Sequence, residues 1–488
     1  MSIELGLVIA YLALCIVVGV VASRRVLSSG DDYWVAGRSI GTVVNATAIM
    51  ATLASGGSLI GVMGLTYKQG IPATLALFAG AVIGFPLASI LVARPLRNFG
   101  RYTIADFLGF RYPHASVRYL VPLLIVASFT AYIVAQMKAA GITANLLLGI
   151  PYEVALTLSA IVFILYVSVG GMVAVTWTDV VQGALMLAVV VGTAVAMISD
   201  AGSAARLLAN ATTTAPELGI VADKPVSSYL GSFLIWATAI PVIPHIVMRV
   251  FAARDAHGAR LSLNLAMVAY AVIILAAVFV IAPAGKTAFP NLEDADAVFL
   301  RVMQSEFGPV TRGIAVAAVM AAVMSTTDAL LLACSSAVAH DLVRGAMGKR
   351  LSSRAQSWVS VGSTWIIGGI ALLWAFSPPA LITQFYTAAI GLLSASLFVP
   401  TIAGFWWRRA NLAGGLAALW TGAVVYLVCA LGPIPIPLAP IVIALPASAM
   451  AMWLGGRLGR ADAPEHLARV ERLHHGAGPD PSREADRS

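Results

Sequence analysis

Apolar stretches of about 20 residues recur along nearly the whole chain of 488 residues, and this repetition limits what the chain can fold into. Each stretch is long enough to cross about 30 Å of hydrocarbon as a helix. Only 11% of the residues are charged and the mean hydropathy is +0.90, which excludes an ordinary soluble fold. The run from Ala184 to Ile198, with Thr193 as its one polar side chain, lacks the alternation of a membrane β-strand. The sequence therefore predicts an all-α membrane protein.

Apolar windows bounded by charge, Gly or Pro predict about thirteen transmembrane helices. Residues 1–457 would form a single transmembrane domain, and the polar residues 458–488 a disordered cytoplasmic tail. An odd number of spans places the two termini on opposite sides of the membrane. The helices lie near 3 to 23, 42 to 66, 72 to 93, 119 to 148, 153 to 168, 173 to 199, 228 to 252, 260 to 284, 309 to 343, 356 to 376, 380 to 403, 412 to 432 and 438 to 457.

Lys and Arg are concentrated in alternate loops of this arrangement, and basic loops are retained in the cytoplasm. An outside N-terminus and a cytoplasmic C-terminus place roughly four times as many basic residues inside as outside. We therefore expect a multi-pass protein of the plasma membrane, here a bacterial inner membrane. Because the basic residues stand singly, without interleaved aromatics, nucleic acid is not an expected partner. The inside set includes Arg24, Arg25, Arg94, Arg111, Arg249 and Arg350, and the outside set is Lys68, Arg206, Lys224, Lys286 and Arg301.

Two predicted helices are interrupted at matching positions in the chain. Ser55-Gly56-Gly57-Ser58 breaks the helix near 42 to 66, and Pro241 and Pro244 break the helix near 228 to 252. Counting five helices from each break gives two repeats, 42–199 and 228–403, whose first helices run in opposite directions. This pattern indicates an inverted repeat with a binding site near the membrane midplane. Gly and Pro are also common in membrane helices, which leaves a second interpretation of the breaks open.

The predicted helix near 309 to 343 carries three hydroxyls and a carboxylate in consecutive positions, Ser325-Thr326-Thr327-Asp328. Hard cations such as sodium prefer oxygen ligands, and carbonyl and hydroxyl oxygens bind them without holding them too tightly for release. A single Ser or Thr can instead bond back to its own preceding turn. Four such residues together in hydrocarbon favour a cation site.

Among the other charged residues inside predicted helices, Asp179 and Lys138 are candidates for function. Asp179 lies near the start of the helix from 173 to 199, where it is either a helix cap or a carboxylate on a cation pathway. Lys138 lies near the middle of the helix from 119 to 148, too far from either end for its ammonium group to reach water easily. It therefore needs a partner, which would be Asp328, Asp179 or the carboxylate of a bound solute. The scattered histidines form no catalytic constellation, so we do not expect an enzyme.

Short motifs spread along the whole chain form a consistent set. In order, they resemble those of the sodium:solute symporter family, from the first predicted helix to the thirteenth. The motif Ala322 to Thr326 is close to that of sodium/proline symporters, whereas Arg97 to Thr103, Ala135 to Met137 and Pro244 to Arg249 are more similar to cation/acetate symporters. The other stretches that carry the resemblance are Asp32 to Arg38, Val169 to Met172, and Trp177-Thr178-Asp179 with Gln182.

This resemblance implies a LeuT-type fold, an inverted repeat of five plus five helices with one extra helix before it and two after. It also implies a bound Na⁺ as coupling ion, held by carbonyl oxygens of the first broken helix and by side chains of the eighth core helix. Transferred by motif to this chain, the sodium ligands are Ala51, Ala54, Ala322, Ser325 and Thr326.

Some members of the family hold a second sodium through the carboxylate of the Trp-Thr-Asp motif and two further serines. Here Asp179 is present, but Asp328 and Ala329 stand in place of those serines. The resemblance therefore leaves Asp179 and Asp328 as a second cation site or a proton site.

The resemblance also implies where the solute binds. Lys138 near that level favours an anion, so the expected function is sodium-coupled symport, by alternating access, of a small monocarboxylate such as acetate, propionate or pyruvate. The alternatives are proline or pantothenate as the solute, protons as the coupling ion, and a solute sensor that does not transport. The expected solute contacts are Ser55, Gly56, Gly57, Lys138, Trp236, Ile240, Pro244 and Gln384.

Overall fold

Helices make up nearly all of the computed structural model, and they follow the apolar stretches of the sequence. The structure describes residues 2–23, 34–219, 225–349, 351–377, 381–432 and 438–475. Several residues used in the sequence argument lie outside this part of the chain: Arg24, Arg25, Asp32, Tyr33, Lys224, Arg350 and the tail from 476 to 488.

The first half of the chain begins with α1 and then enters a helix that is broken after twelve residues. The break is followed by a π-helical turn, Gly57–Gly61, that leads into α3. The helices are α1 (Ile3–Ser23), α2 (Thr42–Leu53), α3 (Val62–Leu91), α4 (Ala93–Phe99), α5 (Ile104–Arg111), α6 (Ala115–Leu148), α7 (Tyr152–Ala201) and α8 (Ala204–Thr214).

The second half begins with another broken helix and ends in the tail. Helix α14 continues through a π-helical segment, Ala337–Ala346. The helices are α9 (Val226–Ala239), α10 (Pro244–Ala252), α11 (Ala256–Ala276), α12 (Ala282–Ala288), α13 (Val298–Glu306), α14 (Pro309–Ser336), α15 (Ser353–Ala375), α16 (Ile382–Trp406), α17 (Leu412–Leu431), α18 (Pro440–Leu458) and α19 (Pro464–His475).

Within the described residues, 11 helices are long and apolar enough to cross a membrane, and two shorter apolar helices, Thr42–Leu53 and Tyr152–Ser168, accompany them. The long helix α7 bends at Gly171, whose φ of 58° lies in the left-handed region that a residue without Cβ adopts most easily. The all-α membrane fold is confirmed, while the count of thirteen spans stays a prediction.

Both interruptions predicted from the sequence are present in the structure. Helix α2 ends at Leu53, and Ala54, with ψ of 62°, leaves the helical conformation. Helix α9 ends at Ala239, and the next helix begins at Pro244, whose missing N–H costs nothing in the first helical turn. Two short unwound segments therefore lie among buried residues, where their backbone groups can face a ligand.

Helix α14 lies at the centre of the bundle. Its most apolar window is 94% buried, whereas those of α1 and α18 are 22% buried. It packs against α1, α6 and α7, and it touches the first broken helix α2. Polar side chains on α14 therefore face protein and not lipid.

The structure corrects the predictions for the tail and for two arginines. Pro464–His475 was expected to be disordered but forms α19, whose Val470 and Leu473 are buried. Arg111 and Arg249, counted above among the basic residues of loops, are each 1% exposed. Arg111 donates through Nε to the Gly404 carbonyl at 3.0 Å and forms an ion pair with Asp462.

Candidate functional site

Three oxygen atoms predicted as sodium ligands meet where α14 crosses the end of α2. The Ser325 hydroxyl donates to the Ala51 carbonyl at 2.9 Å and lies 3.2 Å from the Ala322 carbonyl. All three residues are fully buried. Ser325 is therefore bonded across to the other helix as well as back to its own, which local back-bonding alone would not require.

The other two predicted ligands lie beside this group. The Thr326 hydroxyl donates to the Thr52 carbonyl at 2.8 Å, so it contacts the residue that follows Ala51. Ala54 is the C-terminal cap of α2, about one helical turn beyond Ala51, and is fully buried. The five predicted residues thus lie on two helices that contact each other, with Ala51, Ala322 and Ser325 in direct contact.

The oxygens of Ala51, Ala322 and Ser325 fit a hard cation. Oxygen ligands at about 2.4 Å from an ion lie about 3.4 Å from one another when their directions are perpendicular. The observed separations of 2.9 and 3.2 Å need to open by only a few tenths of an ångström. A cation would also take the lone pairs of Ser325 once the hydroxyl proton turns away.

Side chains from α6 and from the π-helical turn contact the break in the first helix. The Gln136 side chain accepts a hydrogen bond from the backbone N–H of Gly56 at 2.9 Å. The Ser58 hydroxyl donates to the Leu53 carbonyl at 2.9 Å and so spans the break. The Tyr132 hydroxyl donates to the hydroxyl of Ser55 at 3.3 Å. The bonds of Gln136 and Ser58 satisfy backbone groups that the broken helix leaves without partners.

Aromatic rings cover the break. Tyr132 and Tyr386 are stacked with ring centroids 5.0 Å apart, and Trp236 meets Tyr386 edge to face at 5.8 Å. A Cβ on Gly57 would clash with the Tyr386 ring, and one on Gly56 would lie 2.7 Å from Val323. The close approach of these neighbours therefore requires glycine at both positions.

The structure does not bring all of the predicted solute contacts together. Ser55, Gly56 and Gly57 form the break that the aromatic rings cover, and Trp236 is one of those rings. The indole nitrogen of Trp236 has no hydrogen-bond partner among the described residues. Gln384, in contrast, is exposed and lines a separate cavity of about 470 Å³ between α3, α9, α16 and α18.

Two further predicted contacts, Ile240 and Pro244, belong to the second break. Ile240 is fully buried and packs against the backbone of α3 at Gly84. Pro244 is the first residue of α10 and is also buried. Both residues flank the unwound segment between α9 and α10, as the sequence predicts.

Asp179 is paired with an arginine that the sequence argument did not assign to the site. Arg249 of α10 forms an ion pair with Asp179 of α7, and neither side chain is more than 1% exposed. The same carboxylate accepts a hydrogen bond from the Thr52 hydroxyl at 3.3 Å. Because the Thr52 carbonyl is bonded to Thr326, Thr52 connects the ion pair directly to the oxygens of the first site. Asp179 is thus not a helix cap.

Asp328 is fully buried next to this ion pair. Neither of its carboxylate oxygens has a hydrogen-bond partner within the described part of the chain. The charges of Asp179 and Arg249 both act on Asp328. An ionised carboxylate without partners is costly in such a place, so this group requires a proton or a bound cation.

Lys138 has a different partner from those expected. Its ammonium group lies 2.9 Å from Asp296, which precedes α13, and 4.0 Å from Asp294. The Asp296 carboxylate also accepts the backbone N–H of Ile382 at 3.0 Å, at the start of α16. Burial raises the pKa of Asp296, and Lys138 opposes that rise. The predicted pairings of Lys138 with Asp328 or Asp179 are therefore wrong.

Several residues of the site were not identified from the sequence. Tyr132, Tyr386 and Gln136 stand in apolar helices where an aromatic or amide side chain is not unusual. Arg249 did carry a signal, because it lies within the predicted helix from 228 to 252 and needs a counter-charge there. Asp296 lies outside the predicted helices, so nothing in its sequence position pointed to Lys138.

The two broken helices and the buried oxygens between them define a class of protein, a secondary active transporter of LeuT-type fold. Residues 33–422 match the model of the sodium:solute symporter family. The chain belongs to the sodium:solute symporter family, which confirms the resemblance seen in its motifs.

Known relatives and structures agree with this assignment. A sodium/pantothenate symporter of Escherichia coli (strain K12) is 28% identical over 467 residues, which cover 92% of this chain and 95% of the relative. An osmoregulated proline transporter of Bacillus subtilis (strain 168) is 29% identical, over 82% of this chain and 83% of its own. A solved Na⁺-coupled sialic acid symporter superposes with a TM-score of 0.80 at 18% identity, covering 95% of this chain and 99% of that one. At this identity the structure shows the fold.

These findings establish the general activity. The protein is a sodium-coupled solute symporter, a multi-pass membrane transporter and not an enzyme, and Na⁺ is its coupling ion.

Proposed function

We propose that the coupling sodium binds between Ala51, Ala54, Ala322, Ser325 and Thr326. The observation that carries this proposal is the Ser325 hydroxyl, which lies within 3.2 Å of carbonyl oxygens from two different helices. An ion at this point would tie α14 to the end of the first half-helix. Its binding would therefore favour one arrangement of the two repeats, 42–199 and 228–403, over the other, which is the basis of coupling in alternating access.

The second ion position is proposed to work differently. Arg249 supplies a fixed positive charge beside Asp179, in the place where a second cation would otherwise neutralise that carboxylate. Asp328 then remains as the carboxylate that can be neutralised by a proton or a cation. We therefore expect one sodium per cycle at the first site, with a proton on Asp328 as the second candidate for a coupled ion.

The solute is proposed to be small and to carry a carboxylate. Proline, pantothenate and sialic acid, the solutes in the names of similar proteins, all carry this group. The site offers the unpartnered indole N–H of Trp236 as a donor. A monocarboxylate such as acetate, propionate or pyruvate remains our first candidate, followed by proline and pantothenate. Because Lys138 is held by Asp296, it supports this preference only if the ion pair opens during transport.

The orientation is proposed from the basic residues. The ends of the spans that lie near Arg94, Arg254 and Arg354 would face the cytoplasm of a bacterial cell, with the N-terminus outside and the C-terminus inside. A cysteine placed at residue 2 and one placed at residue 461 should then react with an impermeant thiol reagent from opposite sides of intact cells.

Uptake into proteoliposomes tests the sodium site. Radiolabelled acetate, pyruvate, proline and pantothenate are offered with and without an inward sodium gradient, to the wild type and to Ser325→Ala and Thr326→Ala. A lost ligand to a charged group is worth about 1.5–3 kcal/mol, so the half-saturating sodium concentration should rise at least about tenfold.

The control for this experiment is Ser335→Ala. Ser335 is a fully buried serine on the same helix, but its hydroxyl bonds back to Leu332 at 2.9 Å. This variant should keep the sodium dependence of the wild type. If Ser325→Ala transports with unchanged sodium dependence, the proposed ion position is wrong. Saturable solute binding with no uptake in any gradient would instead favour a sensor.

The proton alternative has its own test. If Asp328 carries a coupled proton, an outside acid pH should drive uptake without sodium, and Asp328→Asn should remove this response. An unchanged pH dependence in Asp328→Asn excludes Asp328 as the proton carrier. The sodium site is unaffected by that result, because none of its proposed ligands is titratable.

A further inference from the structure

A cavity of about 740 Å³ lies at the end of the bundle that carries the basic loops. Its walls are the ends of α3 and α16, the short helix α4, the start of α11 and one face of α19. Helix α4 begins two residues after the membrane-spanning helix α3 ends, so this cavity lies at the level of the membrane surface. It is separate from the ion and solute residues described above.

The cavity carries an excess of positive charge. Its charged lining consists of four arginines, two histidines and one glutamate. Arg111 is neutralised by Asp462, and Arg408 lies 2.9 Å from Glu471 of α19. Arg94 and Arg260 line the same cavity with no acidic partner among the residues that the structure describes. Two exposed guanidinium groups therefore face one space without counter-charges, and guanidinium binds phosphate particularly well.

The wall next to the arginines is apolar and faces the expected lipid. Ile90 is 59% exposed and Trp406 is 52% exposed, and both lie at the ends of apolar spans. The Trp406 indole donates to the Leu91 carbonyl at 2.8 Å, which fixes the ring beside α3. Trp is enriched at the boundary between hydrocarbon and headgroups. A free phosphate would use only the arginines, whereas a phospholipid uses both the cationic and the apolar wall.

From this combination we propose that the cavity binds the phosphate headgroup of an anionic phospholipid, with Arg94 and Arg260 as its ligands and Ile90 and Trp406 beside the acyl chains. Basic pockets between spanning helices are suited to such headgroups. Helix α19 closes one side of the cavity through Val470 and Glu471, so a bound lipid also contacts the tail. The proposal does not depend on which ion or solute is transported.

Native mass spectrometry of the purified full-length protein in a neutral detergent tests the proposal. Dioleoylphosphatidylglycerol is titrated against the wild type, with dioleoylphosphatidylcholine, inorganic phosphate and glycerol 3-phosphate as comparison probes. Each arginine near an anionic headgroup is worth about a factor of five in affinity. The variant Arg94→Gln/Arg260→Gln should therefore bind phosphatidylglycerol about 30-fold more weakly and phosphatidylcholine unchanged.

Two further variants make the test specific to this cavity. Arg254→Gln/Arg354→Gln removes the same charge from the same face outside the cavity and should bind the anionic lipid like the wild type. Glu471→Gln frees Arg408 and should strengthen binding about fivefold. Equal weakening in both double variants would reduce the effect to general surface charge and overturn the proposal. Free phosphate or glycerol 3-phosphate binding as tightly as the lipid would overturn the assignment to a phospholipid.

Discussion

The variant Arg249→Gln tests whether Asp179 is neutralised by the guanidinium group of Arg249 or by a bound cation. The variant leaves Asp179 buried without its ion-pair partner, next to the unpartnered Asp328. Removing one member of a buried pair costs about 3–5 kcal/mol, because the remaining charge stays desolvated. Without sodium, we therefore expect the variant to be less stable than the wild type by about that amount. The double variant Arg249→Gln/Asp179→Asn should recover most of the loss.

Sodium should change this difference. In the variant, a sodium ion can take the place of the guanidinium group, and an ion at a hundred times its Kd stabilises the native state by about 2.7 kcal/mol. The thermal unfolding midpoint in detergent is measured against sodium, with potassium at equal ionic strength as the control. The dependence of the unfolding midpoint on sodium concentration should fit one sodium site in the wild type and two sites in the variant.

Two results would refute this reasoning. If Arg249→Gln is as stable as the wild type without sodium, the ion pair does not neutralise Asp179 in the way the geometry indicates. If potassium restores the variant as well as sodium does, the effect is screening of charge and not occupation of a site.

The remaining predictions concern the aromatic cover, the second ion pair and the tail. Gly57→Ala places a Cβ against the Tyr386 ring and should abolish solute binding, measured by equilibrium binding of labelled solute, while the protein still elutes as a single species. Lys138→Met should lower the stability by about 3–5 kcal/mol, and Lys138→Met/Asp296→Asn by clearly less. The unfolding midpoints of the single and double variants measure this difference, and equal losses would show that the two residues are not coupled. Leu473→Asp should release α19 and expose it to limited proteolysis, whereas an uncleaved variant would show that other contacts hold the helix.

The sequence predicted the parts of the structure that depend on local pattern. Hydrophobic length identified the spans, and the glycine and proline breaks at Ser55–Ser58 and before Pro244 appear where they were expected. The contact between Ala51 and Ser325 was also anticipated, through a motif resemblance and not through spacing alone. The spans and the breaks depend on local sequence, and the contact involves a hydroxyl residue type that has few roles inside a membrane.

Long-range pairing was the part that the sequence could not provide. Lys138 needed a partner, but the partner is Asp296, 158 positions later and outside the predicted helices. Arg249 was counted as a loop residue because the topology rule uses position near a helix end and does not see burial. The prediction of a disordered tail was wrong for a similar reason. Helix α19 is amphipathic, and its few apolar residues are enough to hold it against α4 and Phe405.

The ion pair between Asp179 and Arg249 has a consequence for biosynthesis. The two residues are 70 positions apart, so α7 leaves the ribosome well before α10. A charged residue at the centre of an inserting helix costs about 2.5–3.5 kcal/mol. Asp179 lies within the span Gly171–Ala201, so the first helix meets part of that cost before its partner exists. The early segment must therefore wait beside the translocon, or be shielded by its neighbours, until the later one arrives. Membrane integration of this half of the protein is then a cooperative event and not a sequence of independent insertions.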